Sequence, residues 1–116
     1  MKPFVFIFRQ SKLALTQEQM RQRSEEVRAW AIHLHDEGHK LEPHILGEEC
    51  FVAVPGNGAA QSGSQGDSIG AILIVDFPGF EEAKKAAAGH PSLRYGLSVE
   101  VRQAFAPPGA PPLPAQ

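Results

Sequence analysis

Residues 69–105 constrain the fold of this chain more than any other stretch. They read as an apolar strand (Ile69–Phe77), a short helix (Phe80–Ala88) and a returning strand over 97–104. The first strand is apolar at both parities, so both of its faces need burial, whereas the returning strand alternates apolar and polar side chains. The stretch therefore predicts a strand-helix-strand unit that contributes a central strand to a sheet.

A first copy of the same pattern precedes it. Residues 4–8 (FVFIF) are also apolar on both faces and predict a second buried strand. Thr16 and Gln19 form a capping box that begins a long helix, which is expected to end at Gly38. The helix has one apolar stripe, predicted to pack on the sheet, and a flanking tryptophan. The stripe residues are Met20, Val27, Ala31 and Leu34, with Trp30 beside them.

The middle and the end of the chain are less regular. Residues 41–46 and 49–54 read as two extended segments, or as one strand kinked near Gly47, with Pro43 favouring an edge position. Residues 55–68 are rich in Gly and Ser and predict a mobile loop. We expect one domain over residues 1–105, followed by a Pro-rich disordered tail over 106–116.

This order of elements predicts an α+β fold, the ferredoxin-like βαββαβ sandwich, with both helices on one face of the sheet. The second face then has no cover, although the two central strands are apolar there. Leaving such a face in water is costly. We therefore expect a homodimer whose sheets pack face to face, as a dimeric α/β barrel.

Composition excludes several functional classes. A formal net charge of -2 gives no electrostatic field for nucleic acid or an anionic membrane. A single cysteine, Cys50, and the absence of a membrane-length apolar segment favour a soluble cytoplasmic protein. The glycine-rich segment GNGAAQSGSQG lacks the Gly-Lys-Ser/Thr of a phosphate loop and precedes a strand. No cofactor is expected.

Residues 76–105 (DFPGFEEAKKAAAGHPSLRYGLSVEVRQAF) resemble the C-terminal half of the YCII-related superfamily, including its DGPF branch. The N-terminal strand ending in Phe-Arg and the helix ending in LHDEG are also similar to it. The resemblance implies a dimeric α/β barrel with a pocket between helices and sheet. In some members it also implies a His-Asp pair or lyase-type chemistry.

The chain departs from this family pattern at two places. The Asp-Gly-Pro-Phe tetrapeptide is absent, and the 55–68 loop occupies its region. Asp36 fits the family's aspartate, but Val27 stands where the partner histidine is found. The resemblance therefore supplies only half of the His-Asp pair.

Arg23 is the first candidate for ligand binding. It lies close to the apolar stripe of the long helix, so its guanidinium is expected to reach the space between helix and sheet and bind a carboxylate or phosphate. The alternative is an edge position where it pairs with a glutamate. Trp30 is a candidate for contacting a ligand from the same helix. Arg94 and Tyr95, with His90, either line the pocket or seal the dimer edge.

His44 is the candidate general acid or base, because it lies on a strand that could face the pocket. Asp36 is a second catalytic candidate, although it falls opposite the apolar stripe. His35 and His39 have the spacing of a helical metal pair, but Gly38 lies between them, so no metal site is expected.

Together these residues predict a cytoplasmic homodimer that binds a small, anionic or aromatic metabolite, with acid-base chemistry of the lyase type as one possibility. The alternative is a non-enzymatic ligand-sensing or protein-interaction module, which Val27 at the histidine position favours.

Overall fold

The computed structural model describes residues 1–10, 13–56, 60–62 and 69–109. They form six strands, two α-helices and one 3₁₀ helix. In chain order these are β1 (Lys2–Arg9), α1 (Gln17–Asp36), β2 (Leu41–Ile45), β3 (Phe51–Ala53), β4 (Ala60–Ser62), β5 (Ile69–Phe77), α2 (Phe80–Ala88), the 3₁₀ helix (Pro91–Tyr95) and β6 (Ser98–Gln103).

Four strands form one antiparallel sheet in the order β2-β5-β1-β6. Each strand-helix-strand unit skips one strand, so the two units interleave, and both helices contribute to the core on the same face of the sheet. The predicted α+β class with two helices packed on a sheet is confirmed. Of the segments that flank Gly47, the first is the edge strand β2. The second contains β3, which pairs with β4 in a separate hairpin.

The core lies between the helices and the inner face of the sheet. Alternate residues of β1 and β5 point into it, as their period-2 pattern predicts, and these are Phe4, Phe6, Phe8, Leu73, Val75 and Phe77. The ring of Phe6 stacks on that of Phe77 with centroids 5.9 Å apart. Because such rings bury large apolar areas and fit each other closely, the aromatic layer fixes the register between β1 and β5.

Helix α1 begins as predicted. The Thr16 hydroxyl accepts a hydrogen bond from the Gln19 backbone N–H at 3.0 Å, and the Gln19 side chain accepts one from the Thr16 N–H at 2.9 Å. The helix ends at Asp36, and Gly38 follows with a φ of 97°, where a glycine avoids the Cβ strain of the left-handed region. Of the predicted stripe, Leu34 is buried, whereas Met20 is 42% exposed. The expectation for Met20 is wrong because the first turns of α1 do not reach the core.

Three local features go beyond the sequence prediction. Phe80, the first residue of α2, is 48% exposed and stacks on Phe4 from the margin of the core. Within the predicted 55–68 loop, Ala60–Ser62 forms strand β4. The segment before β6 contains the 3₁₀ helix, which ends at Gly96 with a φ of 87°. Most of the predicted loop and most of the 106–116 tail lie outside the described residues.

No helix of the described residues lies on the outer face of the sheet. The apolar side chains at its centre are half-buried, and they are Val5, Ile7, Ile72 and Ile74. Charged side chains flank this strip on both edge strands, with Glu42 on β2 and Glu100 and Arg102 on β6. The predicted asymmetry between a covered and an uncovered apolar face is therefore present in the single chain. In the described part of the chain, no helix is long and apolar enough to cross a membrane.

Candidate functional site

A cavity of about 360 Å³ lies between α1, the β2–β5 side of the sheet and the 3₁₀ helix. Its volume is in the range of small-molecule sites. The middle of α1, from Arg23 to Ala31, lines this space. The walls are largely apolar and include Phe8, Val27, Trp30, Pro43, Leu73 and Leu97.

Two arginines of α1, Arg23 and Arg28, also line this cavity. Among the described residues, no carboxylate pairs with either of them. Two neighbouring carboxylates of α1, those of Glu18 and Glu25, already form ion pairs with Arg21. The alternative that Arg23 pairs with a glutamate is therefore not seen in the described part of the chain. A half-buried guanidinium without a counter-ion, beside an apolar cavity, is suited to bind an anion.

His90 was left open between the pocket and the dimer edge, and the structure places it in the cavity wall. It is only 3% exposed, and its ring packs between Trp30, with centroids 4.5 Å apart, and Phe8, with centroids 4.8 Å apart. Its Nδ1 accepts a hydrogen bond from the Ser92 backbone N–H at 3.0 Å, which caps the 3₁₀ helix. Burial lowers the pKa of His90 to about 4, so the ring is neutral near pH 7.

Arg94 and Tyr95 lie outside the cavity wall. Arg94 forms an ion pair with Glu26 of α1, and the Tyr95 hydroxyl donates a hydrogen bond to the other oxygen of the same carboxylate at 3.0 Å. The hydrogen bond from Arg94 lowers the pKa of Glu26, and partial burial, followed by the bond to Glu26, raises that of Tyr95. These two residues attach the 3₁₀ helix to α1, and so hold His90 in place.

His44 and Asp36 are not brought together. β2 places His44 at the rim of the cavity, but the register with Ile72 turns its side chain to the outer face, where Nε2 lies 2.8 Å from Glu42 Oε2. Asp36 is not among the cavity residues, and its exposed carboxylate lies 3.7 Å from Nδ1 of His35. An acid-base pair built from these two residues has no support in this geometry.

The two histidines with the spacing of a helical metal pair, His35 and His39, have different partners. The His39 ring, half-buried, is hydrogen-bonded through Nδ1 to the Asp76 carbonyl oxygen at 2.6 Å, while His35 is exposed at the end of α1. In the residues that the structure describes, no three side chains of His, Cys, Asp or Glu are grouped so that they could hold a metal ion.

A second, wider cavity of about 620 Å³ opens on the outer face of the sheet. Its apolar lining comes from the chain termini of the domain and from the central strands, with Pro3, Val5, Ile74 and Phe105 among its residues. Phe105 is 75% exposed. This end of the outer face is therefore a concave apolar surface without cover in the described chain.

Comparisons with known proteins do not assign this chain to a family. No family model matches this chain. Comparison with curated proteins gives no match either. The fold itself, a small α+β domain with a four-stranded antiparallel sheet, is what the structure contributes to the question of identity.

Sequence reasoning expected Arg23 and Trp30 near the helix-sheet space, and both line the cavity, whereas His90 was left open between the pocket and the dimer edge. A signal for His90 was present, because Pro91 follows it, and proline at the first position of a helical turn marks the preceding residue as a cap. The sequence also contained a signal that His44 faces away from the core. In LEPHI, Glu42 and His44 share one parity, so a strand places them on the same polar face.

Proposed function

We propose that this chain is a cytoplasmic, YCII-like homodimer that binds a small anionic ligand with an aromatic or other apolar body in the cavity under α1. Arg23 binds the anionic group, and Trp30 packs against the apolar body. Ligand binding without turnover fits the geometry best, because His44 and Asp36 do not converge on the cavity.

The observation that carries this proposal is the pairing pattern of the charges on α1. Glu18, Glu25 and Glu26 are engaged by Arg21 and Arg94, while Arg23 faces the apolar cavity without a carboxylate among the described residues. A cation that is partly desolvated and unpaired costs free energy, and a bound carboxylate removes that cost. The cavity thus favours an anion over a neutral or cationic molecule of the same shape.

The dimer is the second part of the proposal. The strip formed by Val5, Ile7, Ile72 and Ile74 is supported as a contact surface because it is apolar, continuous across two strands and uncovered by the chain's own helices. Burying it against a second copy of itself is the arrangement that a twofold dimer requires. The resulting pair of sheets would be a dimeric α/β barrel with one cavity under each α1.

The test of binding uses Arg23→Gln with Arg21→Gln as its matched control. Both are arginines of α1, but Arg21 lies away from the cavity and pairs with two glutamates. Against benzoate, cinnamate and indole-3-acetate, we expect Arg23→Gln to raise the dissociation constant about tenfold or more, as loss of a charge-assisted hydrogen bond requires. Arg21→Gln is expected to leave it unchanged. Isothermal titration calorimetry measures both.

Equal weakening by the two substitutions would show that the effect is a general change in charge and not a contact at the cavity. Binding of benzylamine as tight as that of benzoate would contradict an anion site. Mass spectrometry of the recovered ligand separates retention from turnover. A product formed by wild-type protein, and lost in His44→Ala, would favour the acid-base alternative instead.

A further inference from the structure

The His90 ring has one nitrogen without a partner among the described residues. Nδ1 accepts the Ser92 N–H, so in the neutral ring the proton is on Nε2, which becomes a hydrogen-bond donor. In the described part of the chain, Nε2 makes no hydrogen bond. Every fully buried side-chain nitrogen or oxygen there does have a partner, so an atom without one is not fully buried. Nε2 is therefore not sealed by protein, and the space that His90 lines is the cavity.

Two polar side chains of the cavity, Arg23 and His90, are separated along α1. Arg23 lies seven residues before Trp30, which is about 10 Å along the helix axis. His90 packs on Trp30, so its donor belongs to the Trp30 end of the cavity. Between them the wall carries the apolar side chains of Val27 on α1 and Leu73 on the sheet, and α1 also contributes Ser24 and Arg28 there.

We infer that the ligand carries two separated polar groups, an anion that Arg23 binds and a neutral acceptor oxygen that takes a hydrogen bond from His90 Nε2–H, with an apolar ring between them. This inference rests on the proposed function, because it assigns the ligand class of the same cavity. It adds a specificity-determining residue, His90. A ligand without a hydrogen-bond acceptor at the Trp30 end of the cavity is expected to bind more weakly because it leaves the His90 donor unpaired.

The physical basis of this selection is the cost of an unpaired donor. His90 is 3% exposed, so a ligand that fills the cavity removes the remaining water from Nε2–H. A ligand with an acceptor replaces that water, whereas an apolar group of the same shape leaves the donor unsatisfied. Because the pKa is lowered to about 4, the ring near pH 7 is a neutral donor without a positive charge to compensate a second buried anion, so a neutral acceptor is favoured.

The experiment compares two probes of one shape, para-acetylbenzoate and para-isopropylbenzoate. Both carry the carboxylate, but only the first has a carbonyl oxygen at the opposite end of the ring. The variant is His90→Asn, because asparagine is a good helix cap and keeps the acceptor for Ser92 N–H while removing the Nε2 donor. We expect wild-type protein to bind the acetyl compound about three- to tenfold more tightly, and His90→Asn to lose that preference.

Arg23→Gln is expected to weaken both probes equally, since both carry the carboxylate. A second measurement needs no variant, because imidazole nitrogen NMR of wild-type protein should show a shift of His90 Nε2 on addition of the acetyl probe only. If both probes bind through Arg23 but without preference and without that shift, the role of His90 is wrong and the anion site stands. If neither probe binds at millimolar concentration, the proposed function fails and this inference fails with it.

Discussion

Replacing Ile74 by glutamate is expected to convert the proposed dimer, of about 25 kDa, into a monomer of 12.6 kDa. Ile74 lies at the centre of the outer face, half-buried, between Val5 on one neighbouring strand and Glu42 on the other. A carboxylate there is buried without a partner in the dimer and stands beside a like charge. At about 3 kcal/mol or more for each uncompensated charge, counted twice across a twofold axis, the dissociation constant rises far more than about a hundredfold.

The matched control is Ile32→Glu. Ile32 is 50% exposed on α1, in the helix layer and not on the sheet. The same chemical change there is expected to leave the dimer mass unchanged in light scattering at micromolar concentration. Wild-type protein that elutes as a monomer would contradict the dimer directly. Dissociation by Ile32→Glu with a persistent Ile74→Glu dimer would move the interface to the helices.

The central strands and the start of the long helix could be predicted because several residues indicate each of them. Both-sided apolar runs mark β1 and β5 as central strands, and the capping box at Thr16 fixes the start of α1 within one residue. The 3₁₀ helix and the β3–β4 hairpin could not be predicted in the same way. Segments of three to five residues are too short to show a period, so their structure depends on contacts with distant elements.

The candidate site was predictable on the helix and less so on the strands. Helical periodicity placed Arg23 and Trp30 towards the sheet without knowledge of the partner elements. The position of His44 depends on which parity of β2 faces the core, and only the pairing of β2 with β5 decides that. The role of His90 depends on the 3₁₀ helix that packs on α1, an interaction between residues far apart in sequence. Local pattern carries little information about such contacts.

Acid is expected to destabilise the protein through His90 before its carboxylates titrate. Burial lowers the pKa of His90 from 6.5 to about 4, so between these values the unfolded chain binds a proton that the folded chain does not. Well above pH 6.5, His90 does not change the free energy of unfolding with pH. As the pH falls from 6.5 towards 4, the free energy of unfolding decreases. The loss approaches about 3 kcal/mol at the lower end, since one unit of pKa difference corresponds to about 1.4 kcal/mol.

The protonation of His90 can be distinguished from the titration of other groups. Phe8 and Trp30 pack on the ring and do not titrate, and no carboxylate lines the cavity in the described part of the chain. The carboxylates with a lowered pKa, which are Glu18, Glu26 and Glu100, lose their contribution below about 4.5, at the acid end of the His90 window.

The measurement is urea unfolding at fixed protein concentration at several pH values from about 7 to 4.5, for wild-type protein and His90→Asn. Asparagine does not titrate and keeps the cap, so the variant should lack the His90 step while all other groups contribute equally to both curves. The free energy of unfolding of wild-type protein should therefore fall towards that of the variant by about 2 to 3 kcal/mol across this range. Parallel curves would show that His90 is protonated as readily in the folded chain as in the unfolded one, and the lowering of its pKa by burial would then be wrong.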